Sequence, residues 1–285
     1  MLDDELQCVL QLEYVQDGAA DFQAFLDALA RILERPSKPW HLDLSRCLDI
    51  RMGAVAVITA LVLESRYRGY AARVTLPAYR PELPTFFESV GLNHYLTGSA
   101  FPDVEDPENL TSPIRQYTAS TFNDAAPLIA LIGRHVEMSE DEVDYVRICV
   151  NEIIQNVQDH AKSPIGAVMG GLWDIQSKSI EISIVDCGDG IATTLKRRYP
   201  NLPNAQMALE HVIQGGFSAK SLPDNQGLGI SNVAAISINQ LSGHAIIFSE
   251  DGLAAGSSRE WKFSRSLNSR FPGTGVFLWL RFGQK

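Results

Sequence analysis

The chain has 285 residues, of which 45% are hydrophobic and 20% charged, and its formal net charge at pH 7 is −10. This composition is typical of a globular protein rather than a disordered one, and the length is sufficient for two domains. The negative charge argues against a general binder of nucleic acid or of an anionic membrane, since both need a basic surface. No window approaches the roughly 20 apolar residues that a membrane span requires.

The chain carries four cysteines that form no Cys-x-x-Cys pair: Cys8, Cys47, Cys149 and Cys187. We expect reduced thiols in a cytoplasmic protein rather than zinc ligands or disulfides. The acidic start, MLDDELQCVL, has no basic region followed by an apolar run, so we expect no signal peptide.

Strand and helix patterns alternate through the first hundred residues, which favours an α/β sandwich in which helices cover a sheet. The predicted elements are a strand over Leu6–Val15, a helix over Asp21–Glu34, a strand over Trp40–Ser45, a helix over Gly53–Arg68, a strand over Ala72–Pro77 and a short helix with a glycine break over Pro84–Leu96.

The segment Gly98–Ile114 contains three prolines and four acids with little periodicity, which is typical of a linker. We therefore predict two domains, residues 1–110 and residues 111–285. The patterns of the second are helices and mostly sequential strands, which favours α+β structure with one antiparallel or mixed sheet and helices on one face.

The predicted elements of this second domain follow the same rules of periodicity and capping. The sequence Ser139 to Glu142 is a capping box at the start of the second helix. In chain order the elements are helices over Ala125–Val136 and Asp141–Ala161, strands over Gly166–Ile175 and Ile180–Asp186, helices over Ala205–Gln214 and Gly229–Leu241, and strands over Ala245–Ser249, Glu260–Ser264 and Val276–Phe282.

The helix predicted over Asp141–Ala161 carries three polar residues at four-residue intervals, Glu152, Asn156 and His160. Because four residues advance only about 40° around a helix, the three form one slanting stripe. Two interpretations are open: the stripe faces solvent without a role, or it lines a site.

Asp186 ends a predicted strand and is followed by Gly188 and Gly190 in the sequence DCGDGI. A carboxylate at a strand end, followed by two glycines, can point into a cleft whose backbone approaches a ligand closely. The same pattern is also typical of a plain turn, so the pattern alone does not decide between site and turn.

A segment rich in Gly, Pro, Asp and Asn, Gly216–Gln226, precedes a second pair of glycines, Gly227 and Gly229. The segment is predicted to be a loop that could act as a lid. The glycines open the next predicted helix, whose free backbone amides would favour phosphate oxygens.

These elements in this order resemble the GHKL superfamily of Bergerat-fold ATPases, which includes gyrase, histidine kinases and mismatch-repair proteins, over about residues 115–285. The resemblance implies an α/β sandwich with a mixed sheet and helices on one face. The matching motifs are Glu152-x-x-x-Asn156 for the N box, Asp186-x-Gly188-x-Gly190 for the first glycine box, Gly227-x-Gly229 for the second, and PGTGVFLWLRF over residues 272–282 for the strand that closes the pocket.

The resemblance implies ATP and magnesium as cofactors. Asn156 would coordinate magnesium through its amide oxygen, a hard ligand suited to an ion that keeps several waters. Asp186 would accept a hydrogen bond from the adenine amino group, and Thr274 would join it through a water. The remaining expected contacts are Gly188 and Gly190 with the base and ribose, and Gly227, Leu228 and Gly229 with the phosphates.

Glu152 is the candidate catalytic residue, since this position in the family can be a general base in phosphoryl transfer. The alternative is that it only hydrogen-bonds the magnesium shell. His160 would touch phosphates or cap the helix, and Lys162 and Lys220 are candidates for neutralising phosphate charge.

Within the superfamily, the sequence EIIQNVQDHA followed by a compact domain resembles the anti-sigma-factor serine-kinase branch more than the histidine-kinase or gyrase-like branches. Residues 1–110 resemble a STAS domain, the fold of anti-sigma-factor antagonists. Phosphorylated STAS domains have a serine before the glycine that starts a helix, whereas this chain has Met52 before Gly53. The domain is therefore expected to dock or dimerise rather than to be the substrate.

The leading hypothesis is a cytoplasmic regulator that uses ATP and magnesium as a protein serine/threonine kinase or ATPase. Its partner would be a regulatory protein, such as a STAS-like protein or a sigma-type factor, or a second copy of the chain, with no nucleic acid and no membrane. The alternative is a nucleotide-gated interaction switch with little or no turnover.

Overall fold

The structure is a computed structural model that describes residues 6–9, 19–34, 38–47, 50–77, 82–99, 101, 110–214, 229–257, 260–265 and 270–283. Helices and strands are mixed, and the strands form a three-stranded and a seven-stranded sheet. None of the described helices is long and apolar enough to cross a membrane.

The described part of the first hundred residues contains a parallel sheet in the order β1-β2-β3. The predicted glycine break is Gly91, whose φ of 78° lies in the left-handed region between two helices. The elements are β1 Leu6–Val9, α1 Ala19–Ala28, α2 Ala30–Leu33, β2 Trp40–Asp43, α3 Met52–Tyr67, β3 Ala72–Thr75, α4 Glu82–Ser89 and α5 Leu92–Thr97. Residues 10–15 of the first predicted strand lie outside the described residues.

The seven-stranded sheet has the order β4-β5-β6-β10-β7-β8-β9, and each described strand pair is antiparallel. Of the two predicted alternatives, the antiparallel sheet therefore applies. The elements are β4 Thr111–Tyr117, α6 Ala126–Gly133, α7 Glu140–Asn156 with a π-helical turn Val157–Ala161, β5 Ala167–Asp174, β6 Ser179–Asp186, α8 Ile191–Lys196, α9 Ala205–Ile213, α10 Gly229–Ala235 with a π-helical turn Ile236–Gln240, β7 His244–Glu250, β8 Gly252–Ser257, β9 Glu260–Arg265 and β10 Phe271–Arg281.

Three of these elements differ from the sequence prediction. β4 begins inside the segment predicted as a linker, and α8 and β8 were not predicted. β4 is an edge strand with a register shift between Ser112 and Arg115, which is where a strand can accommodate Pro113.

Helix α3 is buried on every side, since each residue from Met52 to Val62 is buried. It packs against β3 and α5 and also against β5 and β6 of the larger sheet. The close approach of α3 to the larger sheet depends on glycine. A Cβ atom on Gly170 would lie 2.9 Å from Sδ of Met52, and one on Gly53 would lie 2.7 Å from the ring of Phe277. An apolar helix without a polar face is the sequence signature of such burial.

The larger sheet carries helices on both faces, rather than on one as predicted. One face packs against α6, α7, α9 and α10 in a single apolar cluster. The other face packs against α1 and α3, where the ring of Phe22 lies 4.6 Å from that of Phe277 and 4.9 Å from that of Phe248. This second cluster joins residues from both sides of the predicted division near residue 110, which itself stays a prediction.

Candidate functional site

Helix α7 begins at the predicted capping box. Ser139 Oγ accepts a hydrogen bond from the backbone N–H of Glu142, and the Glu142 carboxylate accepts one from the Ser139 N–H at 2.8 Å. The apolar face of the helix is buried, which leaves Glu152 and Asn156 half-buried and one turn apart. Capping and burial together therefore set where these two polar side chains emerge.

The second glycine box touches the carboxamide of Asn156. Gly229 is the first residue of α10, and a Cβ atom there would lie 3.3 Å from Nδ2 and 3.6 Å from Oδ1 of Asn156. A side chain at this position would therefore press against the carboxamide, which glycine avoids. The other predicted members, Gly227, Leu228, Lys220 and the lid Gly216–Gln226, lie outside the described residues.

The first glycine box packs against the end of the same helix. The π-helical turn that extends α7 ends at Ala161, whose carbonyl oxygen accepts a hydrogen bond from the N–H of Asp189. A Cβ atom on Gly188 would overlap that carbonyl group, so the close packing requires glycine. Thr194 Oγ1 also donates to the carbonyl oxygen of His160, at 3.5 Å.

Two predicted phosphate-contacting residues lie in this region. His160 is half-buried within the π-helical turn. Lys162 is exposed and ends the turn with a left-handed φ of 51°. His160 is the last residue of the predicted stripe and Lys162 follows two residues later, so the stripe ends beside the first glycine box.

Asp186 ends β6 with only 2% of its surface exposed. Its Oδ1 accepts a hydrogen bond from the Gly188 N–H at 2.7 Å, and its carboxylate also accepts one from the backbone of Thr274. Burial raises the pKa of Asp186 to about 7, although the bonds from Gly188 and Thr274 act in the opposite direction. The nearby charge of Asp189 raises it slightly further.

Ser249, which the sequence prediction missed, connects the first glycine box with the strand that carries Thr274. This fully buried residue of β7 accepts a hydrogen bond from the Ile191 N–H at 2.9 Å. Its Oγ donates to the carbonyl oxygen of Gly273 at 3.0 Å and lies 3.0 Å from Oγ1 of Thr274. One hydroxyl group therefore joins the residue after Gly190 to the strand that carries Thr274.

Glu250, the next residue, was also missed. Its buried carboxylate accepts hydrogen bonds from the N–H and, at 2.6 Å, the hydroxyl of Thr193, and it pairs with Arg270. Its φ of 57° is a conformation that costs a residue with a side chain about 1–2 kcal/mol. A Cβ atom on Gly190 would overlap Cγ of Glu250, so Glu250 forms the wall behind the first glycine box.

A sequence signal for these two residues exists in hindsight. Ser249 and Glu250 end the apolar run of β7, as Asp186 ends that of β6. Polar groups at the ends of neighbouring strands in a sheet lie at a common edge, but β7 and β6 are each paired with β10 rather than with one another. The pattern becomes visible only once the strand order is known.

Glu152 and Asn156 carry oxygen atoms of the kind that magnesium takes as ligands. Within the described residues no hydrogen bond to the side chain of Glu152 or Asn156 is formed. The described residues also contain no group of three or more His, Cys, Asp or Glu that could hold a metal ion. A single carboxamide oxygen suits magnesium, which usually takes few protein ligands and completes its shell with water and phosphate.

No protein-family model and no curated protein sequence matches the chain.

Proposed function

We propose that the protein binds ATP with magnesium and acts as a protein serine/threonine kinase or ATPase of the anti-sigma-factor type, in a GHKL-like fold. The observation that carries this proposal is that both glycine boxes touch one helix end. Gly229 lies against Asn156, and Gly188 lies against Ala161 five residues later. Two glycine-lined walls and a polar helix end are proposed to bound one site.

Asp186 and Thr274 form the adenine-binding part of the proposed site. Adenine presents an exocyclic amino group as a hydrogen-bond donor, whereas guanine presents a carbonyl acceptor at the same position. The buried carboxyl of Asp186 supplies an acceptor beside the N–H of Thr274. Gly188 and Gly190 let the backbone lie against the base and ribose.

The phosphates are proposed to lie between Asn156 and the second glycine box. Oδ1 of Asn156 would hold magnesium, which offsets phosphate charge when it is bound. Backbone amides of Gly227, Leu228 and Gly229 would contact phosphate oxygens. His160, Lys162 and Lys220 are proposed as additional phosphate contacts.

Glu152 is proposed as the general base. It lies one helical turn before Asn156 and on the same face, which places a carboxylate near the proposed phosphate position. Its carboxylate would accept the proton of the attacking hydroxyl group, either of water or of a partner's Ser or Thr side chain, while the phosphoryl group is transferred.

The substrate is proposed to be a partner protein in the cytoplasm, such as a STAS-like protein or a sigma-type factor. The first hundred residues, which we interpret as STAS-like, have Met52 before Gly53, and Met52 is buried against the larger sheet. This position therefore offers no hydroxyl acceptor, which favours a docking or dimerisation role for residues 1–110.

Labelled ATP and magnesium test the proposal directly. We expect calorimetry to detect ATP binding that is lost in Asp186→Asn and phosphoryl transfer that is lost in Glu152→Gln without loss of binding. If the wild-type protein bound no nucleotide, the proposal would be wrong. If Glu152→Ala turned over ATP as fast as the wild type, the general-base role would be wrong.

A nucleotide-gated interaction switch is the second candidate, and the packing of α3 against β6 favours it. Cys187 follows Asp186, and burial raises the pKa of its thiol well above the usual range, with the carboxylates of Glu64 and Asp186 adding to the effect. Glu64 belongs to α3, and this helix packs against β6, the strand that ends at Asp186. Tight ATP binding with negligible turnover in the wild type would favour this alternative.

A further inference from the structure

The hydroxyl groups of Ser249 and Thr274 lie next to each other at the proposed adenine site. The two residues are paired across β7 and β10, and their oxygens are 3.0 Å apart. Ser249 is fully buried, whereas Thr274 is half-buried and lies beside Asp186. Only Thr274 can therefore contact a ligand, and Ser249 can act only through it.

The partners of Ser249 determine which hydroxyl donates. An amide N–H can only donate and a carbonyl oxygen can only accept, so Ser249 accepts from Ile191 and gives its single proton to Gly273. The remaining contact, with Thr274 Oγ1, can form only if Thr274 is the donor. Ser249 thus holds the proton of the Thr274 hydroxyl away from the pocket.

This arrangement leaves acceptors on the ligand side of the pocket. The Thr274 oxygen keeps its lone pairs for the ligand, and the carboxyl of Asp186 accepts a hydrogen bond from the backbone N–H of the same residue. A base edge with a donor amino group, such as that of adenine, satisfies these acceptors, whereas the carbonyl oxygen of guanine does not. A polar site that cannot pair with an analogue discriminates against it strongly.

We propose that Ser249 is a specificity-determining residue that restricts the site to adenine nucleotides by fixing the hydroxyl of Thr274 as an acceptor. The inference depends on the proposed ATP binding and extends it to a residue that does not touch the nucleotide. Without the Ser249 hydroxyl, Thr274 is free to rotate and to donate its proton to the carbonyl oxygen of guanine.

The test compares dissociation constants of ATP and GTP, each with magnesium, for the wild type and for Ser249→Ala. We expect the ratio of GTP to ATP dissociation constants to fall about tenfold in Ser249→Ala, mainly through tighter GTP binding. In the variant, a hydrogen bond from the Thr274 hydroxyl to the guanine carbonyl replaces a contact between two acceptors. Ser249→Thr keeps the hydroxyl and is expected to have the same ratio as the wild type. Ser237→Ala is a matched control, because this buried hydroxyl donates to the Val233 carbonyl within the α10 segment.

An unchanged ratio in a folded Ser249→Ala protein would overturn the inference while leaving ATP binding intact. If Ser249→Ala failed to fold, Ser249→Cys would serve, since a thiol has a similar shape but its sulfur is only a weak acceptor for the Thr274 hydroxyl, and the ratio is then expected to fall to an intermediate value. An unchanged ratio in Ser249→Cys would overturn the inference as well. Absence of any nucleotide binding in the wild type would overturn the proposed function itself.

Discussion

The backbone N–H of Gly53 donates a hydrogen bond to Oε1 of Glu181, 2.8 Å away and 128 residues later in the chain. Gly53 is the second residue of α3, and the N-cap residue Arg51 forms no side-chain cap bond. A carboxylate of β6 therefore caps the N-terminus of the helix that packs on it. Negative charge at this end of a helix is stabilising, the more so when it is buried.

Removal of this cap is expected to destabilise the protein. Glu181→Ala should lower the free energy of unfolding by about 1–3 kcal/mol because a buried helix N–H loses its acceptor. Glu181→Gln keeps an acceptor and should cost less. Urea unfolding measures both, with Glu137→Ala as an exposed control. Equal stability of Glu181→Ala and the control would show that the cap contributes nothing.

The raised pKa of Asp186 predicts a specific pH dependence of stability. Its carboxyl has a pKa near 3.8 in the unfolded chain and about 7 in the folded protein, so the folded state binds more protons between these values. The contribution is fully present below about pH 4 and is lost as the pH rises through about 7. The difference corresponds to at most about 4 kcal/mol.

The side chain in the Asp186→Asn variant cannot ionise, so this variant should not lose stability in this way as the pH rises. Relative to the wild type, the variant is expected to gain stability between pH 5 and pH 8, as measured by urea unfolding at both values. Parallel pH profiles for the two proteins would contradict the raised pKa. ATP binding by the same variant is measured separately, at pH 8. This measurement tests the proposed role of Asp186 in adenine recognition independently of its effect on stability.

Substitution of Phe22 tests whether the residues on the two sides of the division predicted near residue 110 unfold together. Its ring contacts Phe248 and Phe277 on the larger sheet, so Phe22→Ala is expected to lower the free energy of unfolding by about 3–5 kcal/mol. The transition should stay single by fluorescence and by circular dichroism, since one cluster joins both sides. Phe122→Ala, at a 70% exposed position, is the control. Two separate transitions, only one of them shifted, would show independent units.

Gly188→Ala is expected to weaken ATP binding at least tenfold, because the added methyl group overlaps the Ala161 carbonyl and displaces the first glycine box. Gly133→Ala is a matched control at the end of α6, where nothing lies within 4 Å of the new Cβ atom and alanine favours the helix. Calorimetric titration with ATP compares the two. Unchanged affinity in Gly188→Ala would exclude this glycine box from the site.

The helix with the capping box was predictable because its signals are local. The Ser139 and Glu142 pattern and the apolar spacing through Ile153 act within a few residues, and the structure confirms both. The strand β8 was not predictable in the same way. Its sequence, GLAAGS, has small residues of low strand propensity, and Gly256 is required because the ring of Trp261 packs directly against it from β9.

The parts of the candidate site that escaped prediction depend on long-range pairing. Ser249 acquires its partners only because β10 lies between β6 and β7, and Glu250 acquires them only because α8 returns to the same edge. Neither arrangement has a signature within a window of ten residues. The ATP-binding role of the site, the kinase chemistry and the STAS-like character of residues 1–110 stay predictions.

The π-helical turn at Val157–Ala161 has a consequence for the spacing of the site. A π-helical turn accommodates one more residue than an α-helical turn, and such insertions often lie at functional sites. Because Gly229 lies against Asn156, before the turn, and Gly188 against Ala161, at its end, the turn sets the separation between the two glycine boxes. Deletion of one residue here would restore an α-helix and move the two walls relative to each other. The number of residues in this turn is therefore as much a determinant of the site as their chemical nature.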